Sequence, residues 1–210
     1  MPEGSTKAAM RDRFRDLRAK VSRAEHAAVS RVVVQHTLRT PAVQEATTVH
    51  CYWPLLDRGE LDTRPLIRLL LDRGVRVVLP VVRHFTTTPQ DEPRMVHRVL
   101  ENTTALRANR WQVWEPTSGA EVLPDALDVI ITPGLAADRR GYRLGFGMGY
   151  YDELLRASPA TTVHLQYAAA IVPVLPSLAH DVPVDHIITE EGPLDLSPHA
   201  PGGPGECTDT

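Results

Sequence analysis

The sequence predicts an α/β fold, a three-layer α/β/α sandwich with a largely parallel sheet. Three observations carry that expectation. Apolar runs of strand length alternate with segments whose apolar residues recur every three or four positions. Residues 46–52, a helical stretch through Leu66, Ile67, Leu70 and Leu71, and residues 75–82 form a β-α-β order. That order calls for a parallel pair with a right-handed crossover. The run 75–82 is apolar apart from Arg76, as a strand buried on both faces is.

The 210 residues fit one domain over 1–193 and a tail over 194–210. The tail holds Pro, Gly, Ser and Thr with almost no apolar residues, so it is expected to be disordered. A net charge of −3 gives no bulk basic field for nucleic acid. No apolar run reaches the ~18 residues of a membrane span, and the N-terminus lacks a signal peptide's apolar core. Cys51 lies in an apparent strand and Cys207 in the tail, which argues against a disulfide framework. A soluble cytoplasmic protein is expected, as a monomer or a homodimer.

Residues 1–6 read as a frayed start, with Ser5 or Thr6 capping a helix from Lys7. Met10, Phe14, Leu17 and Val21 form its apolar stripe. Lys7, Arg11 and Arg18 share another face, which by itself reads as a solvated basic face. Ser22 and Glu25 make a capping box for a helix over 23–38, and Pro41 ends that region. A loop over 53–59 leads to a third helix that starts within 60–63 and stops at Gly74. Residues 84–94 read as a loop or hairpin and 95–100 as a strand. Trp111 and Trp114 mark either a small satellite core or a wall of a ring-binding pocket. Strands are expected over 127–132, 161–166 and 184–189, with a loop over 176–183. The apolar run 168–174 suits a core or an interface.

The chain is organised around residues 134–152. Strand 127–132 feeds this stretch, and a helix follows from Tyr151. It carries Arg143, the alternate glycines Gly145, Gly147 and Gly149, then Tyr150, Tyr151 and Asp152. Backbone N–H groups of such a loop can converge on an anion. The glycines suit positive φ or close ligand approach. The spacing is neither a dinucleotide fingerprint nor a Walker loop. Arg143 can grip a phosphate bidentately, and Asp152 can hold Mg²⁺ against it. These residues leave a nucleotide site and a phosphosugar site both open.

The stretch also resembles the signature of the 5-formyltetrahydrofolate cyclo-ligase family, Pro-Gly-Leu-Ala-Phe-Asp-x-x-Gly-x-Arg-Leu-Gly-x-Gly-x-Gly-Tyr-Tyr-Asp. This chain matches from Pro133 to Asp152, with Ala137 in place of Phe. The likeness extends over about residues 7 to 192, through the basic helix, the Glu60-Leu61-Asp62-Thr63 segment, the Trp111 to Pro116 segment and His180-Asp181-Val182-Pro183. It implies ATP- and Mg²⁺-dependent cyclisation of 5-formyltetrahydrofolate to 5,10-methenyltetrahydrofolate, with ADP and phosphate released. The partners implied are ATP and a reduced folate.

The resemblance also implies residue roles. Lys7, Arg11 and Arg143 would meet phosphates, with Gly145, Gly147, Gly149 and Tyr151 in the ATP cradle. Asp152 and Asp181 would hold the metal. Glu60, Trp111 and Tyr150 would meet the folate, and Arg143 and Tyr150 would act in catalysis. The chain departs from the family pattern at Ala170, Phe146, Met148 and Glu153, and in a longer 53–59 loop. Ala170 and that loop are expected beside the substrate. These departures keep two alternatives in view: a paralogue activating another formyl or carboxyl substrate, and a non-catalytic folate or nucleotide binder.

Overall fold

The computed structural model describes residues 6–83, 94–101 and 103–197. The frayed start with Ser5, most of the 84–94 connection and the tail beyond 197 lie outside the described residues. Helix α1 (Lys7–Ala19) is capped by the Thr6 hydroxyl, which accepts from the Ala9 N–H. The hydroxyl of Ser22 accepts from the Glu25 N–H to start α2 (Arg23–Thr37). Pro41 starts a short helix, α3 (Pro41–Glu45), instead of ending the helical region. Its fixed φ and missing N–H suit a first helical turn. Helix α4 spans Arg64–Asp72, so Glu60 lies ahead of it. Gly74 at φ 79 closes the turn after α4.

The strands are β1 (Thr48–His50), β2 (Arg76–Arg83), β3 (Arg94–Leu100), β4 (Leu106–Ala108), β5 (Trp114–Pro116), β6 (Val129–Thr132), β7 (Ala136–Asp138), β8 (Arg143–Leu144), β9 (Thr161–Leu165), β10 (Ile171–Val172), β11 (His186–Thr189) and β12 (Gly192–Pro193). The main sheet runs β12-β11-β9-β6-β1-β2-β3. Its central pairs are parallel and its two edge pairs antiparallel. Strands β1 and β2 are parallel neighbours joined through α4, as expected.

Strand periodicity sorts the layers. Val49, Val77, Val129, Ile131 and Val163 pack with Phe14 of α1, Val33 of α2 and Leu66 of α4. Val78 and Ile130, on the other face, pack with Leu154 of α5 (Tyr150–Ala157). Helices therefore cover both faces of the sheet, as the predicted sandwich requires. Among the described residues, no helix is long and apolar enough to cross a membrane.

Strand β6 does not feed the glycine loop directly. The antiparallel pair β7–β8 comes between them, and β7 also pairs with β10. Strands this short carry no readable periodicity, which is why 133–144 reads as loop in the sequence. Ala170 lies in the main core and is fully buried, away from the cavity described below. The expectation that it borders the substrate is not met by the cavity lining: a short helical turn over Ala168–Ala170 leads into β10, which pairs with β7.

Two aspartates secure the sheet's N-terminal edge. Asp128, just ahead of β6, accepts from the N–H groups of Thr47 and Thr48 and the Thr47 hydroxyl, at 2.7–2.8 Å. Asp185, just ahead of β11, accepts from the N–H and hydroxyl of Thr162 in β9. The Thr47 hydroxyl, aided by the two N–H groups, holds the Asp128 carboxyl below its ordinary pKa. That stabilisation is present above the usual aspartate range and fades as pH falls through the depressed folded value. Asp128→Ala is expected to cost about 1 kcal/mol at neutral pH, kept small by solvent screening. Urea unfolding should show the difference from wild type shrinking at acid pH.

Candidate active site

The chain passes from β1 through β2 to β3 on one side of β1, then returns to build β6, β9, β11 and β12 on the other. A doubly wound sheet opens a crevice at such a reversal, beyond the C-terminal ends of the strands. Tyr52 and Trp53 follow β1, and Pro133 follows β6. Both segments line a cavity of about 550 Å³, within the usual range for small-molecule sites. Lys7, Arg11, Glu60, Trp111, Arg143, Gly145, Gly147, Gly149, Tyr150, Tyr151, Asp152 and Asp181 all line it. The structure thus brings together every site residue singled out from the sequence.

One end of the cavity is charged. The Arg143 side chain is only 4% exposed; it donates to the Val182 carbonyl at 2.7 Å and to Asp152 Oδ1 at 3.0 Å. The Val182 N–H also donates to Asp152 Oδ1, at 3.1 Å. Burial lowers the Arg143 pKa and the Asp152 charge opposes it, so the guanidinium stays cationic at neutral pH. Lys7 Nζ lies 2.5 Å from Asp181 Oδ2, which also accepts from the Leu178 N–H. Burial pushes the Asp181 carboxyl up, but the Lys7 bond, the Leu178 N–H and the neighbouring charges outweigh it, leaving it below its ordinary pKa. Lys7 is therefore tied to one of the residues expected to hold metal.

Arg11 donates from Nε to the Gly145 carbonyl at 2.9 Å. Gly147 has φ 107, and a Cβ there would lie 3.4 Å from the Arg11 guanidinium. Gly149, at φ 73, occupies the N-cap of α5 without a side chain. Gly145 needs neither explanation: a Cβ there meets nothing within 4 Å. Arg18 departs from the face it shares with Lys7 and Arg11. It is buried, and its guanidinium donates to the Gly134 carbonyl. The solvated basic face does not exist at that position.

The other end is aromatic and apolar. Trp53, Trp111 and Tyr150 stand with Pro80, Val82 and Met95. Trp111 is a cavity wall, whereas Trp114 is 46% exposed and outside the lining. Glu60 is 4% exposed and accepts the Leu55 N–H at 2.8 Å. Burial raises its pKa against the Leu55 N–H and the charges of Arg18 and Arg58. Phe146, Met148 and the 53–59 loop border the cavity, whereas Glu153 does not.

Sequence reasoning missed Asp138, the aspartate of the Pro-Gly-Leu-Ala-x-Asp segment. It is fully buried. Its carboxylate accepts the N–H groups of Arg140, Tyr142 and Leu175 and two bonds from the Arg140 guanidinium. It closes the β7–β8 turn that presents Arg143. An aspartate two residues before an arginine and three before a glycine was the available turn signal. Asp138→Asn turns an amide toward these donors. The expected cost is about 3 kcal/mol, read as a lower urea midpoint at unchanged slope.

The model of the 5-formyltetrahydrofolate cyclo-ligase family matches residues 3–190. The chain is 31% identical over 184 residues to 5-formyltetrahydrofolate cyclo-ligase of Haemophilus influenzae, covering 85% of this chain and 95% of that one. It is 36% identical over 154 residues to the protein of the same name from Escherichia coli, covering 71% and 81%. The NMR structure of Aquifex aeolicus 5,10-methenyltetrahydrofolate synthetase superposes with a TM-score of 0.77 at 27% identity, covering 97% and 99% of the two chains.

Proposed function

The chain belongs to the 5-formyltetrahydrofolate cyclo-ligase family, and from that premise we propose that it converts 5-formyltetrahydrofolate and ATP to 5,10-methenyltetrahydrofolate, ADP and phosphate. The observation that carries this reading is the two-ended cavity. Its cations and glycine loop suit a triphosphate, and its aromatic walls with Glu60 suit a flat heterocycle bearing N–H donors.

The formyl oxygen is a poor leaving group. It attacks the γ-phosphorus of ATP, and ADP departs. The N10 nitrogen then attacks the activated formyl carbon, loses its proton, and phosphate leaves with the former formyl oxygen. The protein's part is positioning and charge stabilisation. Lys7, Arg11 and Arg143 neutralise phosphate oxygens, while the 145–149 backbone and Tyr151 line the triphosphate cradle. Tyr150 and Trp111 flank the pterin, and Glu60 accepts from its N–H groups.

The donor set also fits Mg²⁺. That ion is commonly held by one or two carboxylates together with substrate phosphates, and Asp152 and Asp181 line the charged end. Bound there, Mg²⁺ would offset charge on the transferring phosphoryl group. The same reading puts the enzyme in the cytoplasm.

Purified protein with ATP, Mg²⁺ and 5-formyltetrahydrofolate should generate the near-UV absorbance of the methenyl product; no absorbance change would end this reading. Asp152→Asn keeps an oxygen for Arg143 but removes the charge, and should lower kcat about a hundredfold. Arg11→Ala should raise KM for ATP about tenfold and leave that for the folate within about twofold; a reversed pattern would exchange the two ends.

A further inference from the structure

The β4–β5 hairpin brings Trp111 to the cavity through an unusual tip. Gln112 is the only non-glycine residue with positive φ among the described residues, at 65°. The Asn109 side-chain oxygen accepts the N–H groups of Trp111 at 2.9 Å and Val113 at 3.1 Å. This is the local side-chain bonding by which asparagine fixes a turn. Asn109 Nδ2 then donates to Glu115 Oε1 at 2.7 Å. The same Oε1 accepts the Val82 N–H at 2.9 Å.

Val82 needs that acceptor for a reason rooted in the main sheet. The Cys51 N–H donates to the Val78 carbonyl, so Val78 turns its backbone polar groups toward β1. Strand alternation turns Pro80 and Val82 the same way. But β1 ends at His50, opposite Val78. Pro80 has no N–H to satisfy, whereas Val82 has one at an open sheet edge. Glu115 closes that edge and uses the same oxygen to hold the hairpin tip. On the opposite side, Arg58 of the longer 53–59 loop donates to the Trp111 carbonyl at 3.3 Å. Val82, Arg58, Asn109, Trp111 and Glu115 all line the cavity.

We propose that Glu115 is a positioning residue that, through Asn109, sets Trp111 as the wall of the folate ring subsite. This rests on the proposed folate reaction. It assigns Glu115 no contact with the reacting atoms. Its carboxylate fixes the distance between the hairpin tip and the floor formed by Pro80 and Val82, and so the width of the slot for a flat ring. The gain is preorganisation: a wall already in position loses little freedom when the ring enters.

A double-mutant cycle tests this, read as KM and calorimetric Kd for 5-formyltetrahydrofolate, with KM for ATP as the internal control. Glu115→Ala should raise the folate KM and Kd about tenfold and leave KM for ATP within about twofold. Glu115→Gln keeps an acceptor oxygen and should restore near-wild-type values. Asn109→Ala should shift folate binding in the same direction while Glu115 still satisfies Val82, so it serves if Glu115→Ala does not fold. In a Trp111→Ala background, Glu115→Ala should add less than about twofold.

Full multiplication of the two effects would overturn the proposal, as would a parallel rise in both KM values. Folate binding without turnover would overturn the reaction alone and leave the Kd cycle decisive. No folate binding by the wild-type chain would overturn both.

Discussion

Burying one arginine obliges three distant parts of the chain to meet. Arg143 leaves β8 and finds its acceptors in the Val182 carbonyl and in Asp152 of α5. A buried guanidinium left without those partners would cost several kcal/mol. The glycine loop between β8 and α5 is thereby held at both ends, and the 178–183 segment is drawn over it. Asp138 does the corresponding work one turn earlier, by closing the hairpin that delivers Arg143. The charged end of the cavity is thus an outcome of buried pairing and not of loop flexibility.

The two ends of the cavity differ in how they handle charge. At the charged end, Lys7 and Arg143 already pair with Asp181 and Asp152, so an incoming anion exchanges partners instead of meeting bare charge. At the aromatic end, Glu60 sits almost out of water with the Leu55 N–H on Oε2, and Glu115 is bonded to Val82 and Asn109. Few polar groups among apolar walls give directional recognition without general stickiness.

The main sheet and the glycine loop were legible because each leaves a pattern in the chain. Buried strands such as 75–82 are continuous apolar runs, and Gly147 and Gly149 do adopt the positive φ that their residue type suggests. The roles of Lys7, Arg11 and Arg143 drew on spacing and on the family signature together. What stayed hidden depends on tertiary context. The β7–β8 pair is too short for periodicity, Arg18 is turned inward by the Gly134 carbonyl, and Ala170 is removed from the site by the path of the chain after β9. Glu115 drew no role of its own from the sequence because the open edge it closes exists only once β1 stops at His50.

Asp128 and Asp185 clamp adjacent strands at the edge of the sheet remote from the cavity. The cavity edge is held by carboxylates from a hairpin and a helix: Glu115 accepts the Val82 N–H, and Asp152 accepts the Val182 N–H. The two ends of the strands are therefore fastened differently: strand to strand at one, strand to hairpin and loop to helix at the other. The strand registers beneath the cavity are thus set apart from the side chains that shape its wall.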